Sequence, residues 1–208
     1  MPPSTSLAAL ADAARGCRGC PLFEPATQTV FGDGPSSAAI VLVGEQPGDQ
    51  EDQQGHVFVG PAGRVLWQCV AEAGLAREDV YATNAVKHFK HEVRGKRRLH
   101  KKPGVDEVEA CHPWLEAELR ALHPRVLVAL GATAARSLLG TNVAIAKTRG
   151  QLLRVAGLPT VVTYHPSAVL RAEDAAAEIR AALVEDLTSA AKLASGGDSA
   201  IVGATRVR

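Results

Sequence analysis

Aromatic side chains are scarce, at 4% of the 208 residues, so each one that falls in a loop asks for a reason. Long apolar runs are missing, and none approaches the roughly 20 residues that a helix needs to span a bilayer. The first residues, MPPSTSLAALADAARG, lack a basic segment followed by an apolar one, and no secretory signal is expected. Cysteine is sparse as well. Four in a chain of this length do not suggest a disulfide scaffold, and without an export signal they read as thiols in a reducing compartment, available to a metal. No GxGxxG fingerprint and no Walker loop ending in GKS or GKT is present, so no nucleotide cofactor is expected. A surplus of charge of one sign is also missing, because the formal net charge is +1. What is there, 46% hydrophobic and 22% charged residues, fits a soluble globular protein with a real core; a cytoplasmic monomer is expected.

The near-neutral total hides a segregation. Residues 87–102, KHFKHEVRGKRRLHKK, hold eight Lys or Arg, three His and one Glu. The rest of the chain has 15 basic against 21 acidic residues, about −6. A run of this kind attracts polyanions and marks where a phosphate backbone would dock; it also fits a mobile, solvated loop. Three details favour docking. The run follows an expected strand, it opens with His88 at a plausible metal-ligand position, and it carries His100 among its cations.

Along the chain, residues 6–16 have helical apolar spacing and end at Gly16. Continuous apolar runs at 38–43, 80–86, 125–130 and 159–164 read as buried parallel strands. Helices are expected over 63–73, 104–122, 132–139 and about 173–193. Residues 151–155 are a candidate edge strand, 143–150 look irregular, and the stretch after Gly44 reads as a polar loop running to Phe58. Strands alternating with helices predict a single-domain three-layer α/β/α fold with a central, mainly parallel four-stranded sheet over residues 1–195. Residues 196–208 read as a loose tail.

Polar groups follow three of the expected strands: Glu45 to Asp49, Asn84 to His100, and His165 to Ser167. Open α/β sheets place their ligands at this carboxyl edge, and the convergence is the strongest physical sign of an active site. Several residues allow two readings. Phe58, in a glycine-flanked loop, is a core plug or a platform for a flat ring. Asn84 is a satisfied core amide or a reader offering a donor and an acceptor. Cys17-Arg-Gly-Cys20 is a metal-binding turn, a redox pair or two unrelated thiols. Cys69 falls on the apolar face of its helix and reads as core. His100 alone is a solvent-facing imidazole or a functional one.

GEQPG (44–48), FVGPAGR (58–64), TNAVKH (83–88), KRRLH (96–100) and HPSAVLR (165–171), with Cys17, Cys20 and Cys111, resemble the uracil-DNA glycosylase superfamily. More narrowly they resemble its UdgX-type branch, an iron–sulfur relative of the family 4 enzymes, over about residues 7–192. The branch usually has KRRIH where this chain has KRRLH. The resemblance implies a [4Fe–4S] cluster held by Cys17, Cys20, His88 and Cys111. A count of thiols alone would make Cys69 the fourth ligand, and zinc on the same residues is chemically reasonable.

The resemblance further implies uracil-containing DNA, single-stranded or duplex, as substrate, with the nucleotide flipped out of its stack. Phe58 would stack on uracil, Asn84 would bond its edge, and His165 and the backbone near Gln46 would stabilise the departing anion. Gln46 and Asp49 would shape the sugar side. Lys96, Arg97, Lys101, Ser167 and Arg171 would contact the sugar and phosphates, and Arg98 would hold the loop against DNA. His100 would attack C1′ and stay bonded to it, oriented or deprotonated by Glu45, and neighbouring cations would keep it neutral. The alternatives are a multi-turnover hydrolytic glycosylase and a non-catalytic iron–sulfur module that binds lesions.

Overall fold

The structure, a computed structural model, describes residues 6–196, so most of the expected tail lies outside the described residues. Helix α1 (Leu7–Ala14) leads through the two-cysteine turn to β1 (Ile40–Gly44), then to α2 (Asp49–Gln54) and α3 (Pro61–Glu72). Next come β2 (Val80–Asn84), the strands β3 (His91–Arg94) and β4 (Arg97–His100), and the long α4 (Val105–Leu122). The second half runs β5 (Val126–Leu130), α5 (Ala132–Leu139), α6 (Ile145–Thr148), β6 (Leu153–Val155), β7 (Leu158–Thr163), α7 (Ser167–Arg171) and α8 (Ala176–Ala194).

The sheet order is β2-β1-β5-β7-β6. The four expected strands run parallel, and β6 adds a fifth, antiparallel edge beside β7. Each central strand feeds both faces because its side chains alternate. Ile40 and Leu42 pack with Leu66, Cys69, Leu183 and Leu187 of α3 and α8. Val41 and Val43 pack with Leu115, Leu122, Ala135 and Leu138 of α4 and α5. These are the three expected layers. A third core joins Leu10 and Ala14 of α1 to Val108, Cys111 and Trp114 of α4, at the end of the molecule that carries the cysteines.

Three expectations are corrected. Residues 49–54 are a helix, not loop, because Gly48 enters it extended, three acids occupy the first turn and Gly55, at φ 77, ends it. Residues 145–148 form a short helix. Most of the basic stretch, expected as a loop, is a β-hairpin, with Arg94 opposite Arg97 and His91 opposite His100. Its two-residue turn opens on Gly95 at φ 59, the left-handed conformation glycine adopts at least cost.

Candidate active site

β1, β2, β5 and β7 end at one edge, and the segments that follow them enclose a cavity of about 810 Å³. Gly44 and Asn84 are register partners at the ends of β1 and β2. A Cβ on Gly44 would stand 2.3 Å from Asn84 Oδ1 and 2.7 Å from the Phe58 ring, so only glycine lets these two cavity walls meet. Phe58 is buried and held at φ 53, a strained position for an aromatic residue. The strain is fixed from behind. Trp67 Nε1 donates to the Phe58 carbonyl at 3.0 Å, and Gly63 lies so close that any Cβ would collide with that carbonyl. Phe58 is therefore more than a core plug, since it also lines the cavity. Asn84 is buried, and its Oδ1 has no hydrogen-bond partner, which is costly without a ligand to donate to it.

His165 follows β7. The Ser167 N–H donates to its Nδ1 at 3.2 Å, and the Ser167 hydroxyl lies 2.7 Å from the same atom. Nδ1 is thus the acceptor, and the ring presents Nε2–H as a donor. Burial, then Arg171 and His100, lower its pKa to about 4, so it is a neutral donor at physiological pH. Arg171 Nη1 donates to Ser167 Oγ at 2.9 Å. Ser167, expected at a phosphate, lines the cavity and orients His165.

Glu45 and His100 meet at the cavity. Oε1 of Glu45 lies 3.5 Å from His100 Nε2, and Oε2 accepts the Thr133 hydroxyl. His100 is half exposed, as a group meeting a large substrate must be. Of the cations around it in sequence, Arg98 and Lys101 are paired with carboxylates. Lys96, Arg97 and Lys102 are exposed and carry no ion pair among the described residues. Two of the five neighbouring cations are thus neutralised by carboxylates, which corrects the expectation that all five bear on His100.

The hairpin is tied down by residues expected to touch substrate. Arg98 donates to Asp49 Oδ1 and Asp52 Oδ2, both at 2.6 Å, and its guanidinium lies 5.5 Å from the Phe89 ring centre. It braces the hairpin on α2 and is not among the residues lining the cavity, while Asp49, in the same brace, does line it. Gln46 Nε2 donates to the carbonyls of Lys90 and Lys101, both at 3.1 Å, clipping the two ends of the hairpin together. Its amide is therefore a structural clip. Lys87 is wholly buried, with Nζ bonded to Thr83, the Asn84 carbonyl and Glu118, so the first charge of the basic stretch never reaches the surface.

Cys17, Cys20 and Cys111 belong to the third core, and His88 is buried next in the chain to Lys87, whose N–H reaches Cys111. Trp114 Nε1 donates to Cys17 Sγ at 3.2 Å and the Lys87 N–H to Cys111 Sγ at 3.3 Å. Burial pushes the Cys111 thiol up to about 11 and raises that of Cys20, so a bound metal would have to displace their protons. The Thr29 hydroxyl donates to the Ala14 carbonyl and so accepts from His88 Nε2, at 2.9 Å. That leaves His88 Nδ1 as a lone-pair atom, buried and without a partner. Burial lowers the pKa of this imidazole, which keeps the lone pair free. Three thiols and an orphaned imidazole nitrogen are donors of the kind that an iron–sulfur cluster or zinc takes. No group of three or more His, Cys, Asp or Glu among the described residues is arranged to hold a metal ion, so the geometry does not choose between a cluster and zinc. Cys69 is free and fully buried between α3 and α8, outside this group.

Sequence reading missed Thr133 and Glu51. Glu51 is buried and lines the cavity, accepting the Gly60 N–H at 2.8 Å. Its only sequence signal is an acid in the first turn of an unrecognised helix. Thr133 had none beyond its place two residues after Gly131.

Residues 31–188 match the family model described as the uracil DNA glycosylase superfamily. The chain is 39% identical over 176 residues to a type-4 uracil-DNA glycosylase of Thermotoga maritima, covering 84% of this chain and 87% of that protein. It is 36% identical over 165 residues to a type-4 uracil-DNA glycosylase of Pyrobaculum aerophilum, covering 76% and 81%. A type-4 uracil-DNA glycosylase of Archaeoglobus fulgidus is 38% identical over 162 residues, covering 74% and 78%.

Proposed function

Because the chain belongs to the uracil-DNA glycosylase superfamily, we propose that it excises uracil from DNA and keeps the abasic sugar bonded to His100, as the UdgX-type branch would. The observation that carries the second half is the contact of His100 Nε2 with Glu45 Oε1, 3.5 Å, at the mouth of the cavity. A general base touching an imidazole makes a nucleophile.

The cavity suits a flat ring with one inward N–H and two carbonyls. Phe58 stacks on uracil, and the orphaned Asn84 Oδ1 accepts its N3–H. His165 Nε2–H donates to O2 and stabilises the negative charge that develops as the C1′–N1 bond breaks with its electron pair leaving on uracil. The imidazole lone pair of His100 forms the bond to C1′, and its ring N–H proton passes to the Glu45 carboxylate. The product is a neutral alkylated imidazole, which has no good leaving group for water to displace, so each molecule acts once.

Lys96, Arg97 and Lys102, exposed at the hairpin's turn and its far end, take the phosphates, with Lys101 and Arg171 beside them. Cys17, Cys20, His88 and Cys111 would hold the [4Fe–4S] cluster that the resemblance implies. Bound there, the cluster supplies a structural cross-link between the two-cysteine turn, α4 and the root of the hairpin. No described helix is long and apolar enough to cross a membrane, and the protein is read as a cytoplasmic monomer that meets the nucleoid through its DNA.

The test is a denaturing gel of protein incubated with uracil-containing single-stranded DNA, beside a measurement of free uracil. A heat-stable adduct in one-to-one yield with released uracil is expected. Release over many turnovers with no adduct leaves a hydrolytic glycosylase, and neither signal leaves a binding module.

A further inference from the structure

We propose that Thr133 is the positioning residue that holds Glu45 for the reaction of His100; this rests on the covalent-capture reading above. Glu45 is gripped from two sides. Its carbonyl accepts the Val86 N–H at 3.0 Å, which ties its backbone to the chain leaving β2. Its Oε2 accepts the Thr133 hydroxyl from the first turn of α5. Only Oε1 is left facing His100. A glutamate on a loop has several free torsions, and fixing one oxygen on a buried hydroxyl sets where the other points.

The surroundings make Thr133 a firm anchor. It is itself buried, so its hydroxyl has little water to turn to. The first N–H groups of a helix lack intrahelical partners and favour a carboxylate beside them, and Gly131, Ala132 and Thr133 all line the cavity there. Gly131, at φ 87, would meet His165 Cβ at 2.9 Å if it carried a Cβ of its own. The turn that presents Thr133 is thus packed on the loop that presents His165. One start of one helix registers the group acting on the sugar against the group acting on the base.

The test compares wild type, T133V, T133S, E45Q and the T133V/E45Q double variant. Each is read for the single-turnover rate of adduct formation, the rate of uracil release, and affinity for a uracil-containing oligonucleotide. Valine keeps the shape and removes the hydroxyl. T133V is expected to slow capture by about tenfold to a hundredfold with unchanged DNA affinity, the range a misplaced reacting group costs. T133S restores most of the rate. In the E45Q background T133V adds no further loss, because the two changes break one interaction. Capture by T133V at the wild-type rate overturns the proposal, as does an equal T133V effect with and without Glu45. Thermal midpoints identify a variant that has lost its fold, and T133A then replaces T133V in the same comparison. If wild type releases uracil without an adduct, covalent capture fails, and the same five release rates decide the role of Thr133 toward Glu45.

Discussion

Arg98 and Asp52 form a salt bridge of 2.6 Å in which the carboxylate has no exposure to solvent. Asp52 also accepts the Thr27 N–H at 3.0 Å, so the pair joins the hairpin to α2 and to the chain before β1. Arg98→Met leaves that carboxylate buried and unpaired, and the expected loss of stability is about 3 kcal/mol. Lysine does not restore it, because the guanidinium reaches Asp49 and Asp52 with different nitrogens of one fork. The capture rate falls with the brace, while the salt dependence of DNA binding stays as it was. Arg97→Ala does the reverse, lowering the salt slope by about one phosphate contact at little cost in stability. Denaturant melts and binding titrations at several salt concentrations check both halves.

Gly44→Ala is expected to cost uracil excision about a hundredfold or more, because its Cβ falls on Asn84 Oδ1 and the Phe58 ring together. The two walls of the base site separate while the rest of the sheet stays paired. The check is the single-turnover rate on a uracil-containing oligonucleotide, with thermal melting as the control for fold. A variant that excises at the wild-type rate shows that the ring is read elsewhere.

His165 gives stability a defined pH dependence. Its native pKa is about 4, against an ordinary imidazole near 6.5. Below 6.5 the unfolded chain binds a proton that the native protein refuses. Stability therefore falls as pH drops from about 6.5 to about 4, and this group contributes no change above that window. Across the same window the neutral ring goes on donating to the base. Thermal midpoints of wild type and His165→Gln measured from pH 4 to 8 test this. The wild type should lose its advantage on acidification, and parallel curves refute the assignment.

Cys111→Ser is expected to abolish iron binding and visible absorbance, and His88→Ala to weaken both. Cys69→Ser should retain them, because Cys69 lies in the core between α3 and α8. Chelation of iron from the wild type should lower the thermal midpoint, since the ligand turn and α4 then lose their cross-link. Iron content and absorbance of the purified variants decide it. Loss of iron in Cys69→Ser with retention in His88→Ala reverses the ligand set.

The parallel sheet was legible because Ile40 to Val43 and Val126 to Leu130 are buried on both faces and need no alternation. The carboxyl-edge site was legible because Glu45, Asn84 and His165 each follow such a run. The hairpin was not, since charges at nearly every position of 94–98 mask any period of two, and its pairing rests on Gln46 and Asp52 far away in sequence. The roles of Arg98 and Gln46 were lost for the same reason. Their side chains have the chemistry to touch DNA or uracil, and only tertiary contacts show that both are already occupied. Helix α2 was hidden by its acids, which look like a solvated loop until Glu51 and Asp52 turn inward. Thr133 lay on a correctly expected helix, yet no local pattern connects it to Glu45.

One mass-spectrometric experiment tests covalent capture by His100 most directly. The protein is incubated with uracil-containing single-stranded DNA, digested with nuclease and protease, and the peptide carrying the residual sugar is sequenced. The prediction is a deoxyribose remnant on the imidazole of His100 in wild type, absent in His100→Gly while free uracil is still released. A remnant on any other side chain, or uracil released by the wild type with unmodified His100, contradicts it.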